Sequence, residues 1–266
     1  MADQPQPRYD ALIAKIFKNH FKKGVDSFEF DRVELERGAA DLGIRLPKNL
    51  GDLIYSFRYR KSLPEEITQT AVGTKIWVIA PAGRSKYRFH LASANRIVPR
   101  ADLVSIRIPD ATPEIISRYA LGDEQALLAK VRYNRLIDIF LGVTTYSLQN
   151  HLRTTVKGIG QIEIDEIYVG VNKNGQQFVI PVQAKGGSDQ LAVIQTQQDL
   201  ACCAEKFPAL TCRAISAQFM NDEANTIAIF ELTLEQDEVK VVEERHYCLV
   251  PADSITAADL RSYAGR

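Results

Sequence analysis

GQIEIDEIYVGVNKNGQQFVIPVQAKG, residues 160–186, reads as two apolar, β-branched runs joined by a turn. Side chains alternate along a strand, so Glu163 and Asp165 share one face of the first run, and Gln183 and Lys185 share one face of the second. The connection contains Lys173-Asn174-Gly175, and a three-residue loop with glycine in the left-handed position is a common hairpin solution. In that register the numbers of facing residues sum to 348, which sets Asp165 against Gln183 and Glu163 against Lys185. A two-residue Asn-Gly turn would shift the sum to 349 and split the four groups across two faces.

Two acids, an amide and an ammonium on one face are a poor packing solution, because burying unpaired charge is expensive. As an open metal site they make sense. Asp165 supplies a hard oxygen ligand for Mg²⁺, with Gln183 Oε1 and the Ala184 carbonyl nearby and waters completing the shell. A metal-bound water is more acidic than bulk water, and Lys185 can orient it or offset charge on phosphate oxygens. Asp165, Gln183, Lys185 and Glu163 are therefore the expected catalytic group, and Asp165, Gln183 and Ala184 the expected metal ligands. Pro181 is in tension with a central strand because it cannot donate to a ladder.

Downstream, the pattern predicts a helix over about 188–206 capped by Ser188 or Asp189, then strands AISAQFM (214–220), NTIAIFELTL (225–234) and VKVVEERHYCLV (239–250). Gln195 and Gln198 are expected on a solvated helix face. Upstream, helical periodicity runs from Asp123 to Leu141 and stops at Gly142, a further helix is expected over 144–153, and 101–121 carries no readable motif.

At the start of the chain, helices are expected over 10–21 with Asp10 as N-cap, over 31–42 with an Asp cap, and over 46–60 with a polar, basic face. KIWVIAPAGRSKYRFHLA (75–92) then reads as a β-hairpin with a basic tip. Three short helices followed by a hairpin is the order of a winged helix, whose third helix enters the major groove. The candidate DNA-contacting residues are Lys48, Asn49, Arg58, Arg60, Lys61, Arg84, Lys86 and Arg88.

Charge divides the chain. Residues 1–157 hold 25 Lys and Arg against 17 Asp and Glu, whereas 158–266 hold 8 against 16. A basic half suits a phosphate-tracking surface, since neutralising phosphates releases counterions. No signal sequence and no apolar run long enough to span a membrane is present, which leads to the expectation of a cytoplasmic protein. The four cysteines lack metal-ligand spacing and are expected to be reduced core thiols. Two domains are expected: 1–100, which recognises DNA, and 101–266, with a catalytic core of about 145–266.

The stretch 160–186 resembles the PD-(D/E)xK nuclease superfamily, in which an Asp on one strand and a (D/E)xK tripeptide on the next bind Mg²⁺. Asp165 matches the first acid and Lys185 the lysine, while Gln183 stands at the second acidic position and Ile164 where the proline would be. The resemblance implies an α/β, restriction endonuclease-like mixed sheet flanked by helices, behind a winged-helix-like segment. It also implies a Mg²⁺-dependent endonuclease of restriction or host-defence type that leaves 5′-phosphate and 3′-hydroxyl ends on double-stranded DNA. Cutting both strands suits a homodimer. Gln183 removes one negative charge from the site, so Gln183→Glu is expected to keep or strengthen Mg²⁺ use. The alternative is a non-catalytic winged-helix DNA binder with a degenerate nuclease core.

Overall fold

The computed structural model describes residues 7–73, 75–92, 96–119, 124–186, 189, 191–220, 222, 226–235 and 238–264, and not the side chains of 7, 8, 59 and 60. Asp123, Ser188, Asn225 and the Arg60 side chain, all invoked above, lie outside this set. The chain divides into one unit of residues 1–95 and 155–161 and a second of 96–154 and 162–266.

In the first unit, α1 (Pro7–His20) begins with proline, whose missing N–H costs nothing in a first helical turn. Asp10 therefore lies inside that turn and is not the N-cap; it pairs with Lys61. β1 (Ser27–Asp31), which the sequence reading missed, leads into α2 (Arg32–Asp41), where the Asp31 N–H donates to Glu34 Oε1 at 2.8 Å. The expected helix over 46–60 starts later, as α3 (Leu50–Tyr55), because Asn49 caps it by accepting from the Gly51 N–H. It runs on as a π-helical turn over Ser56–Arg60. Lys48 and Asn49 accordingly precede the helix and do not lie on its face. After α4 (Glu65–Thr68), the strands β2 (Ile76–Pro81) and β3 (Lys86–Ala92) form the expected hairpin, and β1 pairs with β3 to give the order β1-β3-β2. Leu12, Ile16 and Phe17 of α1, Leu53 and Phe57, and Trp77 and Phe89 of the sheet share one buried core.

The second unit is mixed α/β, with helices on both faces of a large mixed sheet. Its strands are β4 (Arg96–Ile97), β5 (Ser105–Pro109), β6 (Thr144–Val156), β7 (Gly160–Val171), β8 (Gln177–Lys185), β9 (Leu191–Ala192), β10 (Thr211–Cys212), β11 (Ala214–Phe219), β12 (Ile227–Glu235) and β13 (Glu238–Val250). The helices are α5 (Glu114–Tyr119), α6 (Glu124–Tyr133), α7 (Leu136–Leu141), α8 (Val193–Lys206) and α9 (Ala257–Tyr263). The main sheet has the order β5-β13-β12-β11-β8-β7-β6, with β10 beside β8. β8 runs antiparallel to β7 and parallel to β11.

The β7–β8 hairpin adopts the glycine-loop register. Facing residues run from Glu166/Val182 to Val171/Gln177, and Gly175 takes φ +80°. Asn172 closes the turn, its N–H donating to the Gln176 carbonyl at 3.1 Å. Bonded pairs recur every second residue from there, so the Ile167/Pro181 pair is unbonded and the missing N–H of Pro181 points away from β7. It meets the gap where β10 gives way to β11, so no ladder bond is lost.

Two segments of this unit depart from or go beyond the sequence expectation. Residues 144–153 are strand and not helix: Thr144, Thr145, Thr154, Thr155 and Val156 are β-branched, and β7 offers the partner ladder that local periodicity cannot reveal. Residues 101–121 carry both β5 and α5.

β8 is buried along nearly its whole length. On one face, Leu127, Val131, Ile137 and Phe140 of α6 and α7 pack on Ile180, Val182, Ile215 and Ile229. On the other, Cys203 of α8 packs on Ile167 and Val179, and Val193 sits with Ala228 and Phe230. Each such aliphatic or aromatic side chain contributes about 1.5–3 kcal/mol when fully buried.

Glu166 leaves β7 on the α6 face, fully buried. Arg132 grips it through Nε and Nη2, both at 2.9 Å, and the Ser147 hydroxyl donates to it at 2.5 Å. Removing one partner of a buried pair strands the other charge. Arg132→Ala should therefore cost about 3 kcal/mol of folding stability in urea titrations. A loss within about 0.5 kcal/mol of zero, the range of ordinary surface substitutions, would mean that water replaces the guanidinium.

Candidate metal-dependent active site

β7 and β8 part company one pair beyond Glu166/Val182, the last pair of their ladder. Past it, side chains take over the bonding. Asp165 Oδ2 accepts the Ala184 N–H at 2.8 Å, and Gln183 Nε2 donates to the Glu163 carbonyl at 3.2 Å. The N–H and C=O of one strand residue leave on the same edge, so the Ala184 carbonyl also faces the Asp165 side.

Lys185 stands on the same side. Its ammonium is 4.0 Å from Asp165 Oδ2 and 3.1 Å from Glu124 Oε1, in the first turn of α6. Its side chain is 11% exposed and that of Asp165 15%, so both charges are largely withdrawn from water. Burial pushes the Asp165 carboxyl above its ordinary range, the nearby Glu124 and Glu163 push the same way, and Lys185 and the Ala184 N–H oppose them.

Gln183 is brought close to the site but turned elsewhere. Its Nε2 donates to both oxygens of Asp199 on α8, at 3.2 and 3.0 Å, and its Oε1 accepts from Gln195 at 3.4 Å. Asp199 is buried, and burial raises its carboxyl well above the usual carboxylate range. Gln183→Glu would thus place a second carboxyl against Asp199, and the expected gain in Mg²⁺ use does not follow from this geometry. Gln198 is buried and Gln195 half-buried, not the solvated pair expected. α8 itself starts at Val193 with Ala192 as N-cap, and Asp189 lies before it.

Glu163 does not meet Lys185. Its carboxylate turns to β6, where Arg153 Nε lies 3.1 Å from Oε2 and His151 Nδ1 lies 3.4 Å from Oε1. Glu166 cannot substitute for it, being committed to Arg132 on the opposite face.

The first-unit candidates are unevenly available. Arg84 and Lys86 are exposed at the β2–β3 hairpin, whereas Arg88 pairs with Glu29 at 2.6 Å and Lys61 with Asp10. Arg58 is half-buried, and the Asn49 side chain is spent on its cap and donates to Asp52 at 2.8 Å. The four cysteines are free thiols, with Cys202 and Cys203 buried.

Among the described residues no three His, Cys, Asp or Glu side chains are grouped to hold a metal. The Asp165 carboxylate and the Ala184 carbonyl, which backbone geometry puts on the same strand edge, are both hard oxygens and would fit a cation that keeps most of its waters, as Mg²⁺ does. Gln183, engaged with Asp199, is not among them. Sequence reading missed Glu124, Asp199, His151 and Arg153. Asp199 left a signal, lying on the stripe Thr196–Asp199–Cys203 at helical spacing.

Comparison with protein-family models, curated proteins and solved structures finds no match to this chain.

A carboxyl whose folded-state pKa is raised binds its proton more tightly in the folded chain than in the unfolded one. Its contribution is fully present below the unfolded value and is lost as pH rises through the folded one. Asp199 should act in this way in metal-free protein. Urea unfolding across mildly acid to neutral pH should show Asp199→Asn gaining stability relative to the parent as pH rises. Parallel stability curves for the two proteins would contradict it.

Proposed function

We propose that the protein is a Mg²⁺-dependent DNA endonuclease of the PD-(D/E)xK kind that hydrolyses phosphodiester bonds in a cytoplasmic restriction-type or host-defence setting. The observation that carries this reading is the convergence of Asp165, the Ala184 carbonyl edge and Lys185 where β7 and β8 separate. The resemblance in residues 160–186 requires those groups on adjacent strands, and the continuation through α8 into β11, parallel to β8, agrees with it.

A divalent cation would supply Lewis acidity and a more acidic water at this position, with Asp165 and the Ala184 carbonyl as its protein ligands. The Ala184 N–H fixes the rotation of the Asp165 carboxylate. The Lys185 ammonium, held by Glu124, is placed to offset negative charge on a phosphate brought to Asp165. The order helix, strand, three helices, hairpin, with sheet order β1-β3-β2, supports a winged-helix-like reader in the first unit, α4 being a single extra turn before the hairpin. Arg84 and Lys86 are its best exposed phosphate contacts. A homodimer with two-fold symmetry would bring two such sites to a duplex. No helix among the described residues is long and apolar enough to cross a membrane.

A second reading, a non-catalytic DNA binder with a degenerate nuclease core, is favoured by one observation: Gln183 is engaged with Asp199 and adds no charge beside Asp165.

Incubation of supercoiled plasmid with and without Mg²⁺ separates the readings. The parent protein should nick or linearise it only with Mg²⁺, and Asp165→Ala and Lys185→Ala should each lower the rate by at least about 100-fold, the scale of losing one transition-state contact. Duplex retention in gel shifts should persist in both. Binding without cutting in the parent supports the second reading, and cutting by Asp165→Ala at the parental rate ends the first.

A further inference from the structure

Between Asp138 and Glu163 the chain holds no acidic residue, while His151, Arg153 and Lys157 fall within the same stretch. Most of this segment is β6 and the turn after it, in a chain whose residues from 158 onward carry 16 acids against 8 Lys and Arg. Among the described residues β6 is the end strand of the main sheet, with no further strand after it in that order.

Two basic side chains there are braced by one carboxylate. Glu163 receives Arg153 Nε at 3.1 Å and Nη2 at 3.3 Å, and His151 Nδ1 lies 3.4 Å from it. The fork occupies two of the three guanidinium nitrogens and leaves Nη1, and the Arg153 and His151 side chains are 68% and 51% exposed. His151 also takes φ +49°, a left-handed conformation that a non-glycine residue keeps only where its surroundings hold it. Glu163 lies two residues before Asp165 on β7, so alternation sends both side chains to one face.

We propose that Arg153 and His151, oriented by Glu163, form a phosphate-contacting edge on β6 along which the backbone of duplex DNA runs toward Asp165. The inference rests on the nuclease reading, and it assigns Glu163 the role of a positioning residue. An exposed ion pair of this kind is worth at most about 1 kcal/mol, so Glu163 orients the guanidinium without withholding it from a phosphate. Charge complementarity selects the occupant: an acid-free strand edge beside a site for phosphodiester chemistry meets a polyanion.

The test is equilibrium binding of the full-length, metal-free protein to fluorescent duplex DNA from about 50 to about 200 mM salt. Arg153→Ala should weaken binding several-fold and reduce the slope of log K against log salt by about 1, the signature of one lost phosphate contact. Arg153→Lys should restore the slope, because it keeps the charge but not the fork. His151→Ala should weaken binding in the same direction. If Arg153→Ala disturbs the circular dichroism spectrum, Arg153→Gln replaces it with the same expectation. Parental affinity and slope in the Arg153 variant, with the parent binding duplex normally, would overturn this inference alone. A parent with no salt-sensitive duplex binding would overturn the function beneath it. A loss on phosphatidylserine vesicles without any loss on DNA would also overturn it, by assigning the edge to a lipid surface.

Discussion

The N–H of Ala184 is held by a carboxylate side chain and not by a backbone carbonyl, and the geometry of the site depends on that bond. β8 is buried on both faces, so each of its polar groups needs a partner within the protein. As long as β7 stays alongside, ladder bonds satisfy that need. Where the strands part, Asp165 must reach across, and this fixes its carboxylate beside Lys185 and at the edge where the Ala184 carbonyl emerges. A strand that simply continued its ladder would have hidden these groups from any substrate.

The same constraint sorts the remaining polar side chains of the hairpin. Glu166, one residue on, faces α6 and is matched by Arg132, so it stabilises the fold and takes no part in the site. Gln183 faces α8 and meets Asp199, a buried carboxyl that an amide can satisfy with two donated contacts. Glu163 lies past the parting of the strands, where water reaches it, and it pairs with β6. Five polar residues of one hairpin are thus divided among four environments, with only Asp165 and Lys185 sharing one.

The sequence made the hairpin legible because its register is set locally. Gly175 accepts a left-handed φ, the loop length follows, and every facing pair from 166/182 onward is determined. Helix ends were legible for the same reason, Gly142 closing α7 in a left-handed conformation. β6 was misread because Tyr146, Leu148 and Leu152 fit a helical spacing about as well as a strand, and only pairing to β7 decides between them. Glu124 was invisible, since it lies 61 residues from Lys185 and no local pattern marks it. Gln183 was placed on the right face but with the wrong partner, because the helix that claims it was read as solvated there.

The charge balance at the strand ends follows from these assignments. Lys185 stands between two carboxylates, nearer Glu124 than Asp165, by 3.1 Å against 4.0 Å. Were Glu124 absent, the ammonium would have only Asp165 to satisfy it, and in a largely buried setting it would close that distance. Glu124 thereby keeps the lysine off Asp165, the carboxylate proposed to hold a cation, while its own side chain, 39% exposed, remains in reach of water. The local sum of two acids and one lysine is a single negative charge. A divalent cation would leave a net positive charge, to which a phosphodiester is attracted and from which a neutral molecule gains little. Gln183 in place of an acid, a weakness if only metal affinity counted, leaves the loaded site the more positive and so favours an anionic substrate.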